Sequence, residues 1–141
     1  MRSVSCCRRR SSRLRLLLDT HAFIWWADGN AALSAAARAA IGDTDSGVWV
    51  SAASAWEITT KHRLGKWPQV AAVAANVAFA IADNGFEPLP VTVAHAQHAG
   101  ALAGAHKDPF DRLLMAQSLL DGCTLVSNEK SFDAFGVRRL W

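Results

Sequence analysis

Cysteine is scarce in this chain: there are three in 141 residues, with Cys6 adjacent to Cys7 near the N-terminus and Cys123 alone beside an apolar segment. That is too few for a disulfide framework and offers no Cys-rich zinc spacing. It fits a reducing compartment. Long apolar runs are also missing. No stretch reaches the roughly 18 residues needed to span a bilayer. The run Leu16-Leu17-Leu18, cut by Arg15 and Asp19, is too short for the core of a signal peptide. These absences predict a soluble, cytoplasmic protein with no membrane partner. Charged residues are sparse too, at 19%, against 51% hydrophobic residues. This argues against disorder and predicts a single domain with a substantial core.

The formal net charge of +3 is a property of one end of the chain. Residues 1–13 hold five arginines (Arg2, Arg8, Arg9, Arg10, Arg13) and no acid. Without them, ten basic residues face twelve acidic ones. A basic balance usually points to nucleic-acid binding, but here that inference fails for the body of the chain. Residues 1–13 lack periodicity and read as a disordered extension, or as a start assigned too far upstream. An RNA-binding arm is the functional alternative.

From Leu14 onward, short apolar runs alternate with helical patterns. Strands are predicted at Leu14–Leu18, Val48–Val50, Phe86–Leu89, Thr124–Ser127 and Val137–Leu140. Between them lie helices at His21–Ala27, Ser34–Ile41, Ala52–Leu64, Gln69–Asp83, Thr92–Ala103 and Asp108–Asp121, with a short helix at Ser131–Phe135. The boundaries follow stop and start chemistry: Ser34 and Thr92 as N-caps, Asp108-Pro109 opening a helix, and Gly42, Gly65 and Gly122 closing others. Strands separated by helices imply an α/β fold, a three-layer α/β/α domain around a mostly parallel sheet. In such sheets the site lies at the carboxyl ends of the strands, near the point where the strand order reverses.

That rule selects Asp19 at the end of the first strand, Glu57 in the helix after the second, Asp111 in the first turn of the Asp108 helix, and Ser127 and Glu129 after the fourth strand. Acids from separate elements brought to one sheet edge suit a hard divalent cation, which takes oxygen ligands. Without a cation they would repel one another and some would hold protons. Each has a plainer structural reading. Asp19 can cap a turn, Glu57 precedes Lys61 by four residues in the order that favours a helix-surface ion pair, and Asp111 complements a helix dipole. Spacing alone leaves these alternatives open.

The local motifs carry more. Leu16-Leu17-Leu18-Asp19-Thr20-His21, Ser51-x-x-Ser54-x-Trp56-Glu57-Ile58 and Lys61-x-x-Leu64-Gly65-Lys66 stand in that order. After them come His106-Lys107-Asp108-Pro109-Phe110-Asp111-Arg112-Leu113-Leu114-x-Ala116-Gln117 and Leu125-Val126-Ser127-x-Glu129-x-x-Phe132-x-x-Phe135-Gly136-Val137. Together they resemble the PIN-domain family over about Leu14 to Trp141, and within it the VapC-type toxins of toxin–antitoxin pairs. The resemblance implies a Mg²⁺-dependent endoribonuclease, with Mn²⁺ as the other candidate ion and RNA as substrate. Asp19, Glu57 and Asp111 match its three principal acids. It implies that Asp19 and Asp111 bind the ion, with Glu57 joining directly or through water, and that the products are a 5′-phosphate and a 3′-hydroxyl. The family usually carries a fourth acid, an Asp two residues after a Thr. Here Ser127 and Glu129 stand at those positions, so Glu129 is an additional candidate ligand one methylene longer. The resemblance further implies a cognate antitoxin that blocks the acidic pocket, often with a basic side chain. It also implies a homodimer, within a larger toxin–antitoxin complex or alone.

Supporting residues are read more plainly. Thr20 and Ser51 either hydrogen-bond the carboxylates or cap helices. Arg112 either ion-pairs structurally beside Asp111 or touches phosphate. Lys61, Arg63 and Lys66 form the body's dense basic patch, as RNA contacts or as a solvated helix face. Trp56 is expected to pack its helix against the sheet and so aim Glu57. His95 and His98 are three apart, with no third zinc ligand nearby. The alternative functional class is a catalytically silent RNA-binding or interaction module, to which the Glu129 departure points. An aspartate-nucleophile phosphatase is disfavoured, because His21 stands where that class needs a second Asp.

Overall fold

The computed structural model describes residues 14–141. The expectations for the arginine-rich segment 1–13 lie outside the described residues. Five strands form one sheet: β1 (Arg15–Leu18), β2 (Gly47–Ser51), β3 (Glu87–Leu89), β4 (Thr124–Val126) and β5 (Arg139–Leu140). Their order is β3-β2-β1-β4-β5, and every pairing is parallel. The helices are α1 (Thr20–Ala27), α2 (Ala35–Gly42), α3 (Ala52–Arg63), α4 (Ala71–Ala74), α5 (Val77–Asp83), α6 (Val93–Ala101) and α7 (Pro109–Asp121). Short 3₁₀ turns lie at Pro68–Val70 and Lys130–Phe135.

The strands are apolar on both faces because both faces are covered, as parallel sheets require. Leu16 and Leu18 join Val48, Val50 and Val126 beneath Phe23, Ile41, Ile58 and Ile81 of α1, α2, α3 and α5. Leu17, one residue out of phase, joins Trp49, Leu89 and Leu125 on the opposite face, under Leu114 and Met115 of α7 and Phe132 of the 3₁₀ turn. This period-two partition produces the three layers.

The chain steps from β1 to β2 to β3 in one direction, then returns to lay β4 and β5 on the far side of β1. The order therefore reverses beside β1, and the carboxyl ends of β1 and β4 flank the crevice. Each of those ends runs straight into polar residues: Asp19 after Leu18, and Ser127 after Val126.

The predicted helix Gln69–Asp83 is broken. Asn76 sits at φ −160°, ψ 88°, outside the helical region, and its side chain accepts from the Phe79 amide to cap α5. An alanine-rich run hides such a break, because the flanking residues favour helix on both sides and only the Asn carries the signal. Cys123 is buried on the Leu17 face of the sheet. Among the described residues no helix is long and apolar enough to cross a membrane.

Candidate active site

One cavity of about 110 Å³ opens at the carboxyl edge of the sheet, lined by Asp19, Glu57, Asp108, Asp111 and Glu129 together with Thr20, His21, Lys61, Asn128 and Phe132. The three acids read from the sequence thus converge, although 38 residues separate Asp19 from Glu57 and 54 separate Glu57 from Asp111. Each arrives through a local device. Asp19 is the N-cap of α1, where its Oδ1 accepts from the Ala22 amide at 2.8 Å. Ser51 caps α3 by accepting from the Ala53 amide at 2.9 Å, which settles its two readings in favour of the cap. Asp108 caps α7, accepting from the amides of Phe110 at 2.9 Å and Asp111 at 3.1 Å, and so sets Asp111 in the first turn.

Asp19 and Glu57 are 7% and 4% exposed, unusual for carboxylates. Burial pushes the Asp19 carboxyl above its ordinary range, despite a hydrogen bond from Ser127 and the Ala22 amide, and the Glu57 charge adds to the rise. The Asp111 carboxyl is pushed up to about 7, first by burial and then by the charges of Asp108, Glu57, Asp19 and Glu129. His106, not singled out from sequence as a site residue, stands with its Nε2 3.4 Å from Asp111 Oδ2. No periodic spacing could have signalled it, because it lies in the loop before α7 rather than on the helix.

Glu57 has two partners. The Thr20 hydroxyl donates to Oε1 at 2.6 Å, and the Lys61 ammonium donates to Oε2 at 2.6 Å. Thr20 therefore serves the carboxylate, as one of its readings proposed, while Ser54 backs it with the two hydroxyl oxygens 2.9 Å apart. Burial alone would lower the Lys61 ammonium; its bond to Glu57 and the charges of Glu57, Asp108 and Asp111 reverse that and raise it. Glu129 is exposed at the rim, where the Ser131 hydroxyl donates to its Oε2 at 2.6 Å. Its amide donates to Ser127 Oγ at 3.0 Å, so Ser127 links Asp19 to the Glu129 backbone. Arg63 and Lys66 are exposed and do not line the cavity.

Two expectations are corrected. Among the described residues Arg112 pairs with no carboxylate by contact. Its guanidinium donates to the carbonyls of Ala99 at 2.9 Å, His106 at 2.8 Å and Leu102. These lie at the end of α6 and in the loop that follows, where helix carbonyls have no partner of their own. Trp56 does not pack against the sheet: it is 58% exposed and meets Phe110 edge-on at 4.9 Å. His95 belongs to a buried network, accepting from the Thr92 amide at 3.0 Å through Nδ1 and reaching Asp121 at 3.2 Å through Nε2. His98 takes no part in that network.

Among the described residues, no three His, Cys, Asp or Glu side chains stand close enough to hold a metal ion as they are arranged. The donor set nonetheless fits a hard cation: oxygen ligands at α1, α3 and α7, gathered in one cavity where five carboxylates face a single lysine.

A parallel β3-β2-β1-β4-β5 sheet between helical layers, with a carboxylate cavity at its switch point, defines an α/β/α fold of the acidic-pocket type. A model of the PIN domain matches residues 16–137, and the chain belongs to that family. It is 41% identical to Ribonuclease VapC16 of Mycobacterium tuberculosis over 64 residues, 45% of this chain and 45% of that protein, so the match spans less than half of that relative. Among solved structures it resembles VapBC2 from Rickettsia felis bound to a DNA fragment from their promoter, at TM-score 0.64 and 12% identity, covering 90% of this chain and 98% of that one. It also resembles Mycobacterium tuberculosis VapC20, a sarcin–ricin loop cleaving toxin, at TM-score 0.59 and 17% identity, covering 86% and 95%. At such identities these two likenesses speak to the fold.

Proposed function

We propose that this chain is a VapC-type toxin ribonuclease that hydrolyses RNA phosphodiester bonds with a divalent cation, Mg²⁺ or Mn²⁺. The observation that carries this reading is the convergence of Asp19, Glu57 and Asp111 on one cavity at the sheet's switch point. The name of the VapC16 relative and the cleaving toxin among the fold's neighbours support the substrate class. Asp19 and Asp111 would hold the ion, with Glu57 joining directly or through water and Glu129 at the rim. When bound, such an ion supplies Lewis acidity, lowering the pKa of the attacking water and offsetting charge on the scissile phosphate. The chain's own groups do the rest. Ser127 and the Ala22 amide orient the Asp19 carboxylate, the Asp108 cap orients Asp111, and His106 Nε2 stands beside Asp111 where it can carry a proton.

Purified protein should cleave single-stranded RNA in Mg²⁺ or Mn²⁺ and stop in EDTA. Asp111→Ala should lower the rate by at least about 100-fold, in line with losing a group that binds the reacting centre. Cleavage that persists in EDTA, or in Asp111→Ala at the wild-type rate, would sink the assignment. Wild-type protein that cleaves no RNA in either ion would leave the catalytically silent module as the reading.

The partner follows from the same membership. We infer a cognate antitoxin that covers the acidic cavity with a basic side chain, consistent with the paired VapBC neighbour.

A stability prediction also follows. Asp111, raised to about 7 from 3.8, binds its proton more tightly folded than unfolded, and Asp19 is raised too. Metal-free protein should therefore be most stable at low pH with respect to these groups. It should lose stability as pH rises from about 4 through about 7, and then level off. A cation that binds the ionised carboxylates reverses the trend. At about pH 8, Mg²⁺ at roughly a hundred times its Kd should raise the Tm by about 10 °C, and at about pH 5 by much less. Thermal melts with and without Mg²⁺ across pH measure this; a gain independent of pH would count against these carboxylates as the ligands.

A further inference from the structure

Five carboxylates line the cavity, with one lysine, Lys61, and no arginine among the lining residues. An RNA phosphate entering such a pocket meets repulsion from every acid that a cation does not cover. Lys61 is already inside. Its side chain is 34% exposed, and its Nζ rests 2.6 Å from Glu57 Oε2. Its backbone lies in the last turn of α3, four residues after Glu57, where a cation is favoured by both the helix dipole and the i,i+4 geometry.

Glu57 is held from the other side as well. The Thr20 hydroxyl occupies Oε1 at 2.6 Å, and Ser54 fixes Thr20. Both carboxylate oxygens thus carry short bonds to donors of this chain, one of them a full positive charge. A divalent ion bound directly to Glu57 would share that carboxylate with an ammonium and be repelled by it. Asp19 and Asp111 carry no ammonium partner by contact among the described residues.

We propose that Lys61 is a phosphate-contacting cation of the active site, and that Glu57 is a positioning residue that holds it there instead of a direct ligand of the metal. The inference rests on the ribonuclease reading above and assigns the two residues within it. An ammonium has three donors. One is spent on Glu57, leaving two for the oxygens of a phosphate. Arg63 and Lys66, although basic, stand away from the cavity and do not share this role.

Two equilibrium measurements on the full chain test it, with melting curves confirming that each variant is folded. The first is affinity for a cleavage-resistant phosphorothioate single-stranded RNA in saturating Mg²⁺, so that the carboxylates are covered, as a function of KCl. Lys61→Gln should weaken binding and lower the slope of log affinity against log salt by about 0.7, one phosphate contact on a single strand. Lys61→Arg, which keeps the charge, should keep the slope. The second is Mn²⁺ affinity by electron paramagnetic resonance. Glu57→Gln should stay within about threefold of wild type, and Asp19→Asn should lose at least about tenfold. An unchanged slope in Lys61→Gln, or a Mn²⁺ loss in Glu57→Gln equal to that in Asp19→Asn, would overturn the assignment even while wild-type protein cleaves RNA. Wild-type protein that binds neither Mn²⁺ nor RNA would overturn this inference and the ribonuclease reading together.

Discussion

Asp19→Asn should abolish RNA cleavage, lowering the rate at least about 100-fold, while leaving the metal-free protein as stable as wild type or more so. The two halves have separate causes. Asp19 is the N-cap of α1, and its Oδ1 accepts from the Ala22 amide at 2.8 Å. An asparagine oxygen can keep that bond, since Asn and Asp are about equal as caps. The substitution also removes a charge that burial disfavours and that Glu57 repels. A residue kept for folding would not behave this way; its loss would cost stability. A residue kept for binding a cation shows the pattern expected here, in which function falls as the apo fold tightens. The measurement is a pair: cleavage of single-stranded RNA in Mg²⁺, and a melting curve in EDTA. A destabilised, still active variant would show that Asp19 is a cap and nothing more.

Arg112→Met should produce the reverse, a large loss of stability. The guanidinium bonds three backbone carbonyls at once, those of Ala99, Leu102 and His106. It thereby closes the end of α6 and pins the loop that leads to Asp108 and α7. The same loop presses on the 3₁₀ turn at Gly104, where φ is +130° and a Cβ would come within 2.6 Å of the Phe135 ring. Losing the clamp leaves three carbonyls to find water or go without. Hydrogen bonds from a charged donor contribute about 1.5–3 kcal/mol each, and they are not additive, so a total near 3 kcal/mol is expected. That corresponds to a fall in Tm of about 10 °C for a domain of this size. Arg112→Lys should not rescue it, because an ammonium lacks the planar fork that spans the three acceptors. Chemical denaturation of both variants checks this; a lysine variant as stable as wild type would refute the clamp. Cleavage, measured well below the Tm, should fall less, about tenfold, because Asp111 keeps its own cap from Asp108.

These two residues also mark how much could be read in advance. Asp19 was legible. It ends an apolar run of strand length, and the strand-end rule for open parallel sheets assigns chemistry to that place. The caps at Ser34, Thr92 and Asp108 were equally plain, since each depends on residues three or fewer apart. The Glu57–Lys61 pair followed from i,i+4 geometry, although that spacing could not say whether it faced solvent or the cavity. Arg112 was not legible. Its three acceptors are main-chain atoms, which carry no residue identity, and no pattern in the sequence points to them. Trp56 was misread for a related reason. A tryptophan in an amphipathic helix is expected to face the core, but here the inward positions around it are taken by Ala53, Ser54, Glu57 and Ile58. It turns outward and meets Phe110 instead.

The sequence by itself determined the order of strands and helices, the broken Gln69–Asp83 helix excepted, and the three-layer class, and it singled out the acids as candidates. Those depend on local periodicity, on capping chemistry and on motifs that are contiguous in the chain. Only the tertiary structure decided that five carboxylates share one cavity, that Lys61 enters it bound to Glu57, that His106 reaches Asp111, and that Arg112 serves the loop rather than an acid. Each of those is a contact across the fold or to the backbone, fixed when β4 returns beside β1 and α7 closes over the sheet, and burial then makes the charges felt. The three acids named by their motifs all line that cavity, and the tertiary structure adds the neighbours that touch each of them.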